Sequence, residues 1–183
     1  SHGGRRARVL EGLARVPGNL MGNLMDNSDI IRQLRVEALM ADYAHCIDDD
    51  RLEEWPDFFT HDCIYRVITR ENHEQGLPMG LIYCDGSGML KDRISALRTA
   101  NIYEPHGYRH TVSAVKILSH DGDEIRVQSN FTVIRIMHDG DMSVFACGRY
   151  LDRIIDENSV LKFVERLVIL DSRRVDTLMV IPI

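Results

Sequence analysis

The stretch HDGDEIRVQSNFTVIRIMHDGD, residues 120–141, is an alternating segment bracketed by two copies of one tetrapeptide. Between the copies, Ile125, Val127, Phe131 and Val133 alternate with Glu124, Arg126, Gln128, Asn130 and Thr132. A period of two puts the apolar set on one face and leaves the other wet, so this is a strand. His120-Asp121-Gly122-Asp123 and His138-Asp139-Gly140-Asp141 each offer a histidine and two carboxylates, which invites a metal reading. Zinc needs three or four converging ligands, and adjacent side chains at a tight turn mostly point apart. A calcium loop needs ligands spread over a dozen residues and a closing bidentate glutamate, which neither copy has. Asp-Gly between strands supplies the positive dihedrals of a tight hairpin, so the expectation is two type I′ corners.

The neighbouring segments 110–119, 142–155 and 160–170 share the same β-branched and aromatic texture, and turn signals separate them. They predict a long antiparallel meander, closed by a short last strand over Leu178–Ile183. Upstream the period changes. Ile30, Leu34, Ala38, Ala41 and His45, widened by Ile31, Met40, Tyr43 and Ile47, predict a helix over 28–48 with one buried face, ending at Asp48-Asp49-Asp50. Leu52, Trp55, Phe58 and Phe59 predict a short second helix, with Pro56 near its start. A strand is expected at 63–69 and a polar loop around Gly76-Leu77-Pro78. A third helix is expected from Gly88 to Ala100, on Met89, Leu90, Ile94 and Leu97. The class is therefore α+β, with three N-terminal helices packed on a long curved antiparallel sheet. A bent sheet wrapped on a helix leaves a cone whose mouth can hold a ligand.

A chain of 183 residues can bury a sizeable core as one domain, expected here over 27–183. Residues 1–26 differ: the first twenty carry four arginines, one acid and no sustained period, and read as a disordered, vector-derived or upstream extension. Cys46, Cys63, Cys84 and Cys147 form no C-x-x-C pair and sit in apolar stretches, which suits buried thiols in a reducing cytoplasm. The net charge of -6, without a basic patch, argues against nucleic acid or an anionic membrane as partner. No apolar run approaches a membrane span. Arginine outnumbers lysine 19 to 3, a supply of bidentate donors suited to protein contacts.

Candidate chemistry is sparse. Nucleophile-elbow, dinucleotide and P-loop motifs are absent, as are Rieske cysteine–histidine steps and a facial iron triad. Tyr43 and His45 on the first helix and His110 at the start of the sheet form the one acid–base set that could face a cone. His61-Asp62 reads more simply as a corner. In Tyr108-Arg109-His110, alternation sends Arg109 to the face opposite its neighbours.

The blocks CIDDDRLEEWPDFFTHDCIYRV, LKDRISALRTANIYEPHGYRHTVSAVKIL, FACGRYLDRI and FVERLVILDSRRVDTLMVIPI, in that order, resemble the β (small) subunit of aromatic-ring-hydroxylating dioxygenases. The resemblance covers Asn27 to Ile183. It implies a cystatin-like or nuclear transport factor 2-like cone and a hexamer of three α and three β subunits with a β trimer. It also implies that the α subunit holds the Rieske iron–sulfur cluster, the mononuclear iron and the substrate, with no cofactor or metal in this chain. Leu52, Glu54, Trp55, Phe58, Asp62 and Tyr65 match the family's helix-to-strand block, and Arg93, Arg98, Arg109 and His110 its arginine-and-histidine block. Trp55, Arg93, Arg98, Tyr108, Arg109 and His110 are accordingly the candidate interface residues, and the catalytic set is empty. The short, proline-poor segment Val67 to Asn72 resembles the salicylate- and benzoate-type branch. The alternative is a stand-alone cone-fold isomerase or dehydratase for a small hydrophobic ligand, using Tyr43, His45 and His110.

Overall fold

The structure, a computed structural model, describes residues 26–99, 104–172 and 179–183. The chain divides into two compact units, Ser1–Arg32 and Gln33–Ile183. The first is described from Asp26 onward, so the expected extension lies almost wholly outside the described residues. Asp26 caps helix α1 (Asn27–Asp48), its Oδ1 accepting the backbone N–H groups of Ser28 at 2.6 Å and Asp29 at 3.0 Å.

In the second unit α1 ends as the sequence anticipates, and the acidic run shows how. The Arg51 N–H donates to the Cys46 carbonyl and the Asp50 N–H to that of Ile47, with Asp50 at φ 57° where glycine is usual. The buried face of α1 is Val36, Leu39, Met40, Tyr43, Ala44, Cys46 and Ile47. This corrects the expected stripe, because Leu34, Ala38, Ala41 and His45 are exposed. Apolar residues run around more than half of the helix, so periodicity alone cannot select the arc that packs; the bulk of Met40 and Tyr43 does.

A 3-10 turn at Trp55–Phe58 takes the place of the second helix, with Pro56 in its first positions. Strand β1 follows directly at Phe59–Thr69. His61 and Asp62 therefore lie within a strand, with solvent-facing side chains, rather than at a corner. The polar loop begins with a short helix α2 (Arg70–Glu74). Then come β2 (Ile82–Asp85), α3 (Ser87–Thr99) and the meander β3 (His106–Asp121), β4 (Glu124–Met137), β5 (Met142–Glu157) and β6 (Val160–Leu170).

The sheet order is β2-β1-β6-β5-β4-β3. The meander is antiparallel throughout, as expected, but β1 joins it parallel to β6, with Tyr65 opposite Arg166 and Val67 opposite Val168. Alternation reports which face a residue takes and is silent about strand direction. The last strand does not form over 179–183, which has no strand conformation; Leu178 lies outside the described residues.

Both HDGD stretches are corners of another type than expected. At the first, Asp121 pairs with Glu124, and of the two loop residues only Gly122 has positive φ, which is the II′ pattern. At the second, the Gly140 N–H donates to the Met137 carbonyl and that of Met137 to Asp141, with Gly140 at φ 92°, a three-residue loop closed by a glycine bulge. The type I′ signature, positive φ at both loop residues, falls at Asn158-Ser159 between β5 and β6.

Candidate functional site

The concave side of the sheet is where a cone-fold protein would hold a ligand. Here it is filled. Trp55 meets Phe59 and Tyr65 edge-to-face at 5.4 and 5.1 Å between centroids, and Tyr43 meets Phe163 at 5.6 Å. In their midst lies a buried ion pair across β5 and β6. Arg166 donates through Nε and Nη2 to Asp152 Oδ1 and Oδ2, both at 2.9 Å, and neither side chain is exposed. The guanidinium carbon lies 4.1 Å from the ring centroids of Tyr43, Tyr150 and Phe163. Burial works to lower the Arg166 pKa, but the Asp152 carboxylate and its two hydrogen bonds outweigh it, and the net direction is upward. Burial pushes the Asp152 carboxyl above its ordinary value while the guanidinium pulls it back; the two-pronged geometry is that of an ion pair, and three aromatic faces compensate its lost hydration.

The mouth of the cone is closed by the segment 179–183. The Ile183 carbonyl accepts from the hydroxyls of Tyr43 at 3.1 Å and Tyr65 at 2.9 Å, and Ile183 is fully buried. Arg93, from α3, donates to the carbonyls of Met179 at 2.5 Å and Val180 at 3.3 Å. Burial raises the pKa of both phenols, so each stays a neutral donor.

A second polar cluster sits at the end of α1. A carboxylate there opposes the helix dipole and needs a partner. Asp48 accepts the His110 backbone N–H at 2.9 and 3.1 Å and contacts His110 Nδ1 at 2.6 Å. The Nε2 on the other side of the ring is buried and has no partner among the described residues. Arg109 approaches the same carboxylate at 3.6 Å from the outer face and is 57% exposed. A cleft of about 420 Å³ lies alongside, lined by Ala41, Ala44, His45, Arg109, Val112 and Val115 among others.

The fate of each sequence candidate follows. Tyr43 is spent on Ile183 and the aromatic core, whereas the exposed His45 lines the same cleft as His110 and its partner Asp48, so two of the three share a cleft and Tyr43 does not join them. Trp55, Tyr108 and His110 are buried inside the subunit. Arg93 braces the terminal segment, and Arg98 forks onto Asp50 and Glu53. Of the six interface candidates, Arg109 presents its side chain most openly. Asp48, Asp152 and Arg166 went unselected in the sequence. The signal for Asp48 was three aspartates at a helix C-terminus, against the dipole; an ordinary Arg and Asp in two strands gave none for the buried pair. Cys46, Cys63 and Cys84 are buried, and burial pushes the Cys46 and Cys63 thiols up to about 11. Cys147 is only half-buried, on the face of β5 opposite the core. Among the described residues no three His, Cys, Asp or Glu side chains group to hold a metal, and no helix is long and apolar enough to cross a membrane.

Comparison with known proteins identifies the family. The family model for the ring-hydroxylating β subunit matches residues 43–177. The chain belongs to that family. It is 45% identical to subunit β1 of the terminal oxygenase component of terephthalate 1,2-dioxygenase from Comamonas sp, over 84% of this chain and all of that one. It is 38% identical to the small subunit of anthranilate 1,2-dioxygenase from Burkholderia cepacia, over 89% of this chain and all of that one. Among solved structures, one described as the β subunit of an aromatic-ring-hydroxylating dioxygenase from Novosphingobium aromaticivorans superposes with a TM-score of 0.78 at 38% identity. That match covers 84% of this chain and 98% of the other. The ring-hydroxylating β subunit accordingly has the α+β cone of nuclear transport factor 2 type, and belongs to an oxidoreductase system.

Proposed function

We propose that this chain is the non-catalytic structural subunit of a bacterial, cytoplasmic aromatic-ring-hydroxylating oxygenase. It associates as a β trimer and holds three catalytic α subunits in an α3β3 hexamer. The α subunit carries the Rieske cluster, the mononuclear iron and the substrate pocket. The observation that supports this reading is the packed interior: Arg166, its aromatic box and the Ile183 segment fill the space between the sheet and α1. The stand-alone isomerase or dehydratase is left with the Asp48–His110 pair and His45 along one cleft, without Tyr43. Terephthalate and anthranilate, named in the relatives, are both aromatic carboxylic acids, and the substrate of the parent oxygenase belongs to that class.

The test is affinity purification of the tagged chain from its native host, with native mass and an absorption spectrum of the product. A stoichiometric larger partner with the brown spectrum of an iron–sulfur protein is expected. A colourless homo-oligomer without a partner would sink the proposal. Arg109→Ala is expected to weaken partner recovery and leave the isolated fold intact, because this side chain is exposed and bound internally by one long contact.

A further inference from the structure

β3 is the last strand of the sheet, so one side of its backbone has no strand partner, and α1 is fastened to that open edge by two of its side chains. The His110 N–H points outward there and is taken by the Asp48 carboxylate at 2.9 and 3.1 Å. Further along the strand, the Val115 carbonyl accepts from Gln33 Nε2 at 2.9 Å. Between the two fastenings lies the cleft of about 420 Å³ already described. Small side chains make the room, since α1 lines it with Ala41 and Ala44 where β3 brings Val112 and Val115.

The cleft is rich in hydrogen-bond donors. Bonding direction alternates along a strand, so the Val112 N–H faces the same open edge as that of His110. It has no partner among the described residues. Arg109 reaches the edge with its side chain 57% exposed, and its only ion pair among the described residues is the 3.6 Å approach to Asp48. Its fork has N–H groups to spare. The exposed His45 adds an imidazole with no hydrogen bond among the described residues. The carboxylates of the cleft are engaged already: Asp48 by His110, and Glu37 by Gln33 at 2.7 Å. Glu37 also stands at the other end, about 12 Å from His45 along the helix. Asp48 itself shows what this edge takes, a carboxylate on a strand N–H beside an imidazole.

We propose that the cleft is a binding site for a small carboxylic acid with an apolar body, of the size of benzoate. The carboxylate is met by the Arg109 fork, the Val112 N–H and His45, and the body by Ala41, Ala44 and Val115. A peptide strand fits worse, because the edge is interrupted: Ala114 has φ 51°, the register breaks between Ser113 and Lys116, and both ends of the gap are fastened. The acid follows from the cleft alone. Its being aromatic rests on the subunit reading above, under which the cleft is a second site, outside the catalytic subunit, for the class of acid that the parent oxygenase takes.

The experiment titrates the purified full chain with benzoate, benzamide and hexanoate, followed by the amide resonances in NMR. No partner is present, because Arg109 is also the residue expected to touch one. Benzoate is expected to shift the Val112 amide with a saturable dissociation constant on the order of 1 mM, as suits so small an acid. Benzamide, its neutral counterpart, is expected not to saturate. Arg109→Ala weakens benzoate binding about tenfold or more, as loss of a charge-assisted fork requires. Ala41→Leu fills the cleft from an exposed helical position, keeps every charge and has the same effect. Circular dichroism of both variants stays that of the wild type, and His61→Ala, at an exposed histidine outside the cleft, binds normally. Absence of saturation by benzoate, equal binding of benzamide, or wild-type affinity in both variants would overturn the proposal. Hexanoate binding as tightly as benzoate would overturn the aromatic occupant. The subunit reading is decided separately, by recovery of a larger partner, and the benzoate titration stands or falls without it.

Discussion

The hydroxyl of Tyr65 is bonded twice to Ile183, donating to its carbonyl oxygen at 2.9 Å and accepting from its N–H at 3.2 Å. Tyr65 lies on β1, 118 residues earlier in the chain, and both residues are fully buried. One phenol thus satisfies both backbone polar groups of a buried residue that lies outside any strand. The bond closes the cone with the chain's own backbone.

Tyr65→Phe removes that hydroxyl and leaves a buried donor without a partner. Tyr43 still reaches the carbonyl at 3.1 Å, so the expected loss is about 1–3 kcal/mol rather than unfolding. Urea titration followed by the single tryptophan measures it, because Trp55 sits 5.1 Å from the Tyr65 ring. An unchanged midpoint would show that the terminal segment is not held through this residue.

Breaking the Arg166–Asp152 pair from one side strands a charge in an apolar box. Arg166→Met or Asp152→Leu is expected to cost about 3–5 kcal/mol, whereas the two combined recover most of the loss. Chemical denaturation of the three variants forms a cycle. If the double variant were no better than the singles, the aromatic box would need the cation itself.

Gly148 stands in β5 opposite Phe131, and a Cβ there would lie 1.9 Å from the Ile169 carbonyl oxygen. Backbone cannot yield as a side-chain tip does. Gly148→Ala is therefore expected to lose about 3 kcal/mol or more, with the β5–β6 ladder opened. Hydrogen exchange of the β6 amides would show it, and wild-type protection there would refute it.

Three carboxylates sit below their ordinary pKa because arginines hydrogen-bond them: Glu53 by Arg98, Glu124 by Arg153 and Asp156 by Arg35. With folded values below unfolded ones, their contribution is complete above the ordinary 4.5 for Glu and 3.8 for Asp. It is lost as pH falls from there through the lowered folded values. Glu53 is exposed and Glu124 and Asp156 are half-buried at the surface, so the effect is small and salt-screened. The melting temperature is expected to be level from neutral pH down to about 5 and to fall below about 4.5, with a shallower fall in Arg98→Ala.

The sequence by itself determined the α+β class, the meander, the corners and the family. Each is written in local pattern: alternation over 124–133, Asp-Gly between strands, apolar residues at helical spacing and four blocks in fixed order. It also determined that Arg109 faces away from Tyr108 and His110, since period two allows nothing else. Only the tertiary structure decided which arc of α1 packs, because Leu34 and Leu39 are equally apolar and the choice belongs to the surface they meet. It alone set β1 parallel to β6, a pairing between segments some hundred residues apart that leaves no trace in alternation. The same holds for Arg166 against Asp152 and for Ile183 beneath Tyr65. A buried charge or a plugged cone is a relation between distant residues, and its energy comes from a desolvated environment that exists only once the chain has closed around it.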